Sequence, residues 1–112
     1  MLDVNGTLYG TTEVGDQITS NGYGTVFSVS AAGSEHVLHS FSPSGAFPAA
    51  ALISVGGLLY GTTPSYGSNN GGTVFSITTA GYLTTLHNFG SGSDGISPFA
   101  PLLYAQGTLY GT

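Results

Sequence analysis

Apolar residues recur along this chain in short bursts, each ending at glycine, proline or a polar cluster. No window keeps the 3.6-residue apolar period of an amphipathic helix, because Gly or Pro interrupts every candidate. Residues 25–30 (TVFSVS) and 73–78 (TVFSIT) are rich in β-branched and aromatic side chains and predict strands. Residues 36–41 and 83–89 predict the strand that follows each, beyond turns at Ala31-Ala32-Gly33 and Thr79-Ala80-Gly81. Residues 1–12 predict a strand–turn–strand, since Asn5-Gly6 tolerates positive φ at both positions. Gly56-Gly57 and Gln106-Gly107 hold the same place later on. Pro48 and Pro98 open a further apolar segment, ending in Leu52-Ile53 and Leu102-Leu103. The neighbours Val26-Phe27 and Val74-Phe75 put apolar groups on both faces of their strands, the pattern of a sheet covered on both sides.

These elements run through one order twice and begin it a third time. Leu-Tyr-Gly-Thr stands at 8–11, 59–62 and 109–112, and Gly-Thr-Val-Phe-Ser at 24–28 and 72–76. Leu38-His39-Ser40-Phe41 is answered by Leu86-His87-Asn88-Phe89. A spacing near 50 residues is repeat architecture. The expected fold is all-β: tandem repeats of about 50 residues, each about four antiparallel strands, β-propeller-blade-like and open-ended. The first unit is 1–51, the second 52–101, and 102–112 starts a third. Repeat packing predicts matched environments for Tyr9, Tyr60 and Tyr110, for Phe27 and Phe75, for His39 and His87, and for Phe41 and Phe89. The connections at 13–23 and 64–71 differ in length while the flanking motifs hold, as surface loops do.

Composition narrows the partners. The chain has 112 residues, no Lys or Arg, five acidic residues and a formal charge of −5. Nucleic acid is not an expected partner, because phosphate neutralisation needs cationic side chains. Anionic lipid surfaces are disfavoured for the same reason, and no apolar run reaches the length of a membrane span. Without Cys there is neither a disulfide framework nor a thiolate metal site. Residues 1–4 lack the basic and apolar regions of a signal peptide.

As a set, Leu-Tyr-Gly-Thr-Thr, Gly-Thr-Val-Phe-Ser, Leu-His-Ser/Asn-Phe, Asp94-Gly95 and Pro98 resemble the GloVer-type glycine-rich tandem repeat. The resemblance covers essentially the whole chain. It implies a propeller-like fold and membership of large exported bacterial proteins with varied surface anchors, and it brings no catalytic residues. The first unit departs from the pattern, with Ser44-Gly45 where the second has Asp94-Gly95.

His39 and His87 are the most conspicuous ionisable groups. Their identical place in consecutive repeats points to repeated packing, whereas a catalytic site needs one asymmetric constellation. His36 is matched by Thr84, and at i, i+3 on a strand it is expected to point away from His39, which argues against a shared metal. No Gly-x-Ser-x-Gly elbow is present. Residues 90–95 formally contain GxGxxG, but they lead into Ile96-Ser97-Pro98 rather than a helix. The same stretch partly matches a calcium-binding nonapeptide, making Asp94 a weak calcium candidate; that motif works only when stacked in tandem. Asn5-Gly6-Thr7 is a formal glycosylation sequon, and Thr63 and Ser65 beside Pro64 are weak O-glycosylation candidates. Tyr66, Tyr82 and Tyr104, at loop or strand ends, are weak candidates for stacking on a sugar. No cofactor is expected.

The leading expectation is therefore a non-enzymatic structural or adhesive repeat module of an exported bacterial surface protein or extracellular filament. Its partners would be further repeats of the same protein or other copies of itself, and its place extracellular or on the cell surface. The alternatives are a glycan-binding β-propeller module and a propeller-type hydrolase or lyase. Exposed aromatics around a concave polar groove would favour the first alternative. A deep pocket joining Asp94 or Asp16 to a histidine would favour the second. Two blades cannot close a propeller, which takes about four to eight, so the terminal strands are expected to pair with more sheet.

Overall fold

The computed structural model describes residues 2–14, 23–41, 47–65 and 67–112. Tyr66, Asp16 and the Ser44-Gly45 step lie outside the described residues. The strands are β1 (Leu2–Val4), β2 (Thr7–Thr12), β3 (Thr25–Val29), β4 (Glu35–Ser40), β5 (Ile53–Val55), β6 (Leu58–Thr63), β7 (Thr73–Thr78), β8 (Leu83–Asn88), β9 (Leu103–Ala105) and β10 (Thr108–Tyr110). Among the described residues there is no helix, and hence none long and apolar enough to cross a membrane. Strands β1-β2-β3-β4 form one antiparallel sheet in sequence order, β5-β6-β7-β8 a second, and β9-β10 a hairpin. The architecture is all-β, open, and consistent with propeller-blade-like repeats.

Each sheet starts with a two-residue hairpin whose central residues both have positive φ: Asn5 and Gly6 (52° and 83°), Gly56 and Gly57 (58° and 86°), Gln106 and Gly107 (50° and 85°). Such turns match the right-handed twist of the strands they join. The apolar segments after Pro48 and Pro98 add no strand to the sheet behind them. Leu52 and Leu102 are buried anchors, and the next residues, Ile53 and Leu103, open β5 and β9. The segment is thus a crossover to the next sheet, and the fourth strand of each blade is the first arm of its hairpin.

Register shows a second difference from expectation. Val26 pairs with His39 but Phe27 with Val37, so Leu38 is an extra residue in a β-bulge. The second sheet repeats it, with Val74 opposite His87, Phe75 opposite Thr85, and Leu86 extra. A bulge resets the alternation of faces. His36 stands opposite Ser28, two positions from Val26 on β3, so His36 and His39 share a face instead of pointing apart.

The core lies between the two sheets. Tyr9 and Val26 on one face of the first sheet, with Phe41 beyond β4, pack with Leu52 of the crossover and Leu59, Phe75 and Ile77 of the second sheet. The rings of Phe41 and Phe75 meet edge-on, with centroids 5.6 Å apart. Phe75 also lies over Gly61, its cross-strand partner: a Cβ at Gly61 would fall 2.6 Å from the Phe75 ring and 2.7 Å from Leu52. Burying a side chain such as Phe75 or Ile77 is worth about 1.5–3 kcal/mol. Paired threonines fasten the strand ends beside this core. Thr12 and Thr25 hydroxyls lie 2.9 Å apart, those of Thr63 and Thr73 2.8 Å apart, and in each pair the earlier hydroxyl also accepts the later backbone N–H.

Phe27 is the counterpart of Phe75 but is only half-buried, because among the described residues no second sheet stacks on its face of the first. Phe75→Ala is therefore expected to cost about 3–5 kcal/mol, and Phe27→Ala clearly less. Denaturant midpoints of the two variants check this; equal losses would contradict the stacking order.

Candidate functional site

The repeat leaves one face incompletely filled. In the first sheet the Val26 face is sealed by the second sheet, and Val26 has no exposed surface. In the second sheet the same face carries Val74, Leu86, His87 and Phe89, and among the described residues it is covered in part, by the β9–β10 hairpin and the 94–98 segment. Leu102 and Leu109 sit where Leu52 and Leu59 sit one repeat earlier, but no described residue stands in the place of Phe75. A cavity of about 400 Å³ results, lined mostly by apolar groups including Val74, Phe89, Leu102, Leu109 and Gly111. Leu86, on this face, is 50% exposed.

Two polar features border the cavity. Thr62 lines it, and its buried hydroxyl has no hydrogen-bond partner. The counterpart Thr11 donates to the Ala50 carbonyl at 3.4 Å. A buried hydroxyl without a partner costs on the order of 1–3 kcal/mol. The second feature is the His87–Asp94 pair, in which Nε2 of His87 donates to Oδ2 of Asp94 at 2.8 Å. Oδ1 of the same carboxylate accepts from the Gly90 amide at 3.2 Å. The His87 hydrogen bond is the main cause that holds the Asp94 carboxyl below its ordinary value. The pair pins the 90–95 turn to the end of β8.

The two repeated histidines share geometry but not surroundings. His39 meets Phe41 edge-on at 4.8 Å, and His87 meets Phe89 edge-on at 4.6 Å. His39 is half-buried, and desolvation lowers its pKa from the ordinary value. His87 is exposed and has a carboxylate partner in Asp94. A histidine oriented by a carboxylate is half of a nucleophilic triad. Among the described residues, however, no hydroxyl is hydrogen-bonded to His87, and no group of three His, Cys, Asp or Glu could hold a metal. Asp94 spends one carboxylate oxygen on His87 and the other on the Gly90 amide.

The remaining candidates separate. Tyr82 is exposed at the β7–β8 turn and Tyr104 on β9; neither lines the cavity. Asn5 is exposed at a hairpin tip, and Ser65 is half-buried. Thr63 is fully buried in its bond to Thr73, which closes its hydroxyl to glycosylation in the folded chain. Tyr9 is buried, Tyr60 half-buried and Tyr110 56% exposed, so one repeat position grades from covered to open. Sequence reasoning missed the bulge, the threonine pairs and the Gly61–Phe75 contact. The pairing of Thr12 with Thr25 and of Thr63 with Thr73 was signalled by the recurrence of Gly-Thr-Thr before Gly-Thr-Val.

Residues 1–112 match the model of one protein family, described as the Gloeobacter/Verrucomicrobia repeat. No curated protein and no solved structure matches the chain.

The two perturbed groups set a pH profile. Both have depressed values in the folded state, so the unfolded chain takes up each proton first as pH falls. Stability linked to His39 is full above the ordinary 6.5 and declines as pH drops below it. Stability linked to Asp94 is present above the ordinary 3.8 and is lost as pH falls through its depressed value. In denaturant titrations His39→Asn is expected to flatten the upper arm and Asp94→Asn the lower. A wild-type stability that rises as pH falls below 6.5 would contradict this.

Proposed function

We propose, from the premise that the chain belongs to the Gloeobacter/Verrucomicrobia repeat family, that it is a non-enzymatic structural or adhesive module of an exported surface protein or filament. In this reading 1–51 and 52–101 are two repeat units and 102–112 begins a third. The observation that carries it is the Phe41–Phe75 contact across the sheets. Each blade fills its neighbour with one face and offers the other face for the next. The open faces at the two ends support the same reading. Leu8 and Val37 are exposed on the Phe27 side, and Leu86 on the Val74 side. Exposed apolar surface of that kind marks an interaction site. Little opposes further stacking electrostatically, because charged residues are 4% of the chain. An extended extracellular assembly fits best, and a closed ring of several copies is the runner-up. Head-to-tail contacts give one or the other according to their rotation.

One observation favours a second reading, a propeller-type hydrolase or lyase: the cavity borders both Asp94 and His87. Its apolar lining and the engagement of Asp94 in the turn favour packing instead. Sedimentation of the isolated chain at low micromolar concentration tests the assembly reading. Concentration-dependent association is expected, and a compact, folded, non-associating monomer would overturn it.

A further inference from the structure

The glycine of Leu-Tyr-Gly-Thr separates what the chain fills from what it leaves open. Neither Gly61 nor Gly111 adopts positive φ, so backbone conformation does not require glycine at these positions. What Gly61 supplies is room: an added Cβ would strike both Leu52 and the Phe75 ring. At Gly111 the same Cβ would meet only Leu102, at 2.9 Å. Half of the space that glycine provides is used, and the half belonging to an aromatic ring is open to the cavity that Gly111 lines.

Strand pairing tells the same story. β6 pairs with β5 on one edge and β7 on the other, whereas among the described residues β10 pairs only with β9. The free edge of β10 presents unpaired backbone groups, which template an added strand. Thr62, whose buried hydroxyl has no hydrogen-bond partner, lines the same cavity.

We infer that the free edge of β10 and the cavity between Val74, Phe89, Leu102, Leu109 and Gly111 form an acceptor site for an antiparallel β-strand of the Thr-Val-Phe-Ser class, supplied by a further repeat. The β6–β7 register fixes how it docks. Val74 stands opposite Thr62, Phe75 opposite Gly61 and Ser76 opposite Tyr60. The incoming Val therefore lies opposite Thr112, the Phe opposite Gly111 and the Ser opposite Tyr110. The incoming ring fills the cavity and meets Phe89 edge-on, as Phe75 meets Phe41. Main-chain hydrogen bonds supply affinity and the ring over glycine supplies register, the division of labour found in strand addition generally. A second copy of the chain is a poorer occupant, because its own β2 already holds the edge of β3 that β10 would need.

This inference rests on the stacking reading above but has its own test. The full chain is extended after Thr112 with a copy of residues 63–88, and amide hydrogen exchange is followed at Leu109 and at position 111, whose N–H groups point to the free edge while those of Thr108 and Tyr110 point to β9. Exchange there is expected to slow by about tenfold or more relative to the unextended chain. The gain should vanish when the copied Phe75 is replaced by Ala, and when Gly111→Val blocks the ring; Gly111→Val alone meets only the flexible end of Leu102. Unchanged exchange in the extended chain would overturn the proposal, as would equal protection with the Ala copy. Protection of β10 that grows with concentration of the unextended chain would make the occupant a second copy and refute the assignment to a further repeat. An unextended chain that self-associates while the extension fails to dock sinks only this inference. A monomeric chain whose extension docks sinks only the assembly reading.

Discussion

The ring of Phe75, seated over Gly61 and against the ring of Phe41, is the contact on which the two sheets depend. A four-stranded sheet with apolar side chains on both faces is not a stable object by itself, because it must cover two surfaces at once. The chain solves this by stacking, and the stacking distance is set by one aromatic ring and one missing side chain. A glycine inside a strand normally weakens it; here the neighbouring ring covers the gap, an arrangement known to restore strand stability. Leu52 closes the same space from the crossover, so the link between sheets and the contact between sheets are one packing unit.

Lateral features hold each sheet in the shape that stacking requires. The threonine pairs tie β2 to β3 and β6 to β7 at their ends, where the ladder would otherwise fray. The bulges at Leu38 and Leu86 bend the last strand and increase its twist. At the first of them the Leu38 backbone approaches Gly81 of the next sheet, where a Cβ would lie 2.7 Å from the Leu38 carbonyl oxygen. Small residues at 61 and 81 thus permit both close approaches. Electrostatics contributes little by comparison: His87–Asp94 is an exposed pair, and such pairs stabilise weakly.

Much of this order was legible in the sequence. The all-β class, the three hairpin turns and the strands around Val26-Phe27 and Val74-Phe75 follow from turn chemistry and local pattern, which act within a few residues. The family match agrees with the resemblance carried by the repeated motifs. What escaped depends on contacts made across the fold. The Leu38 bulge reverses the faces expected for His36 and His39, because one extra residue shifts every later side chain and composition does not announce it. The crossover role of residues 48–52 was hidden because an apolar segment after proline reads equally as a strand. The differing surroundings of Tyr9, Tyr60 and Tyr110 come from position in the stack, which no local motif encodes. The candidate site is legible only by subtraction: Val74, Phe89 and Gly111 matter because one repeat earlier their counterparts touch something.

The central claim is that the sheets are coupled through the two rings and are not merely adjacent. A double-mutant cycle on Phe41→Leu and Phe75→Leu, read from equilibrium denaturation, measures that coupling directly. The stacking account predicts an interaction energy of about 0.5–1.5 kcal/mol, the range for an edge-on aromatic pair. Additive losses, with no interaction energy beyond error, would contradict it.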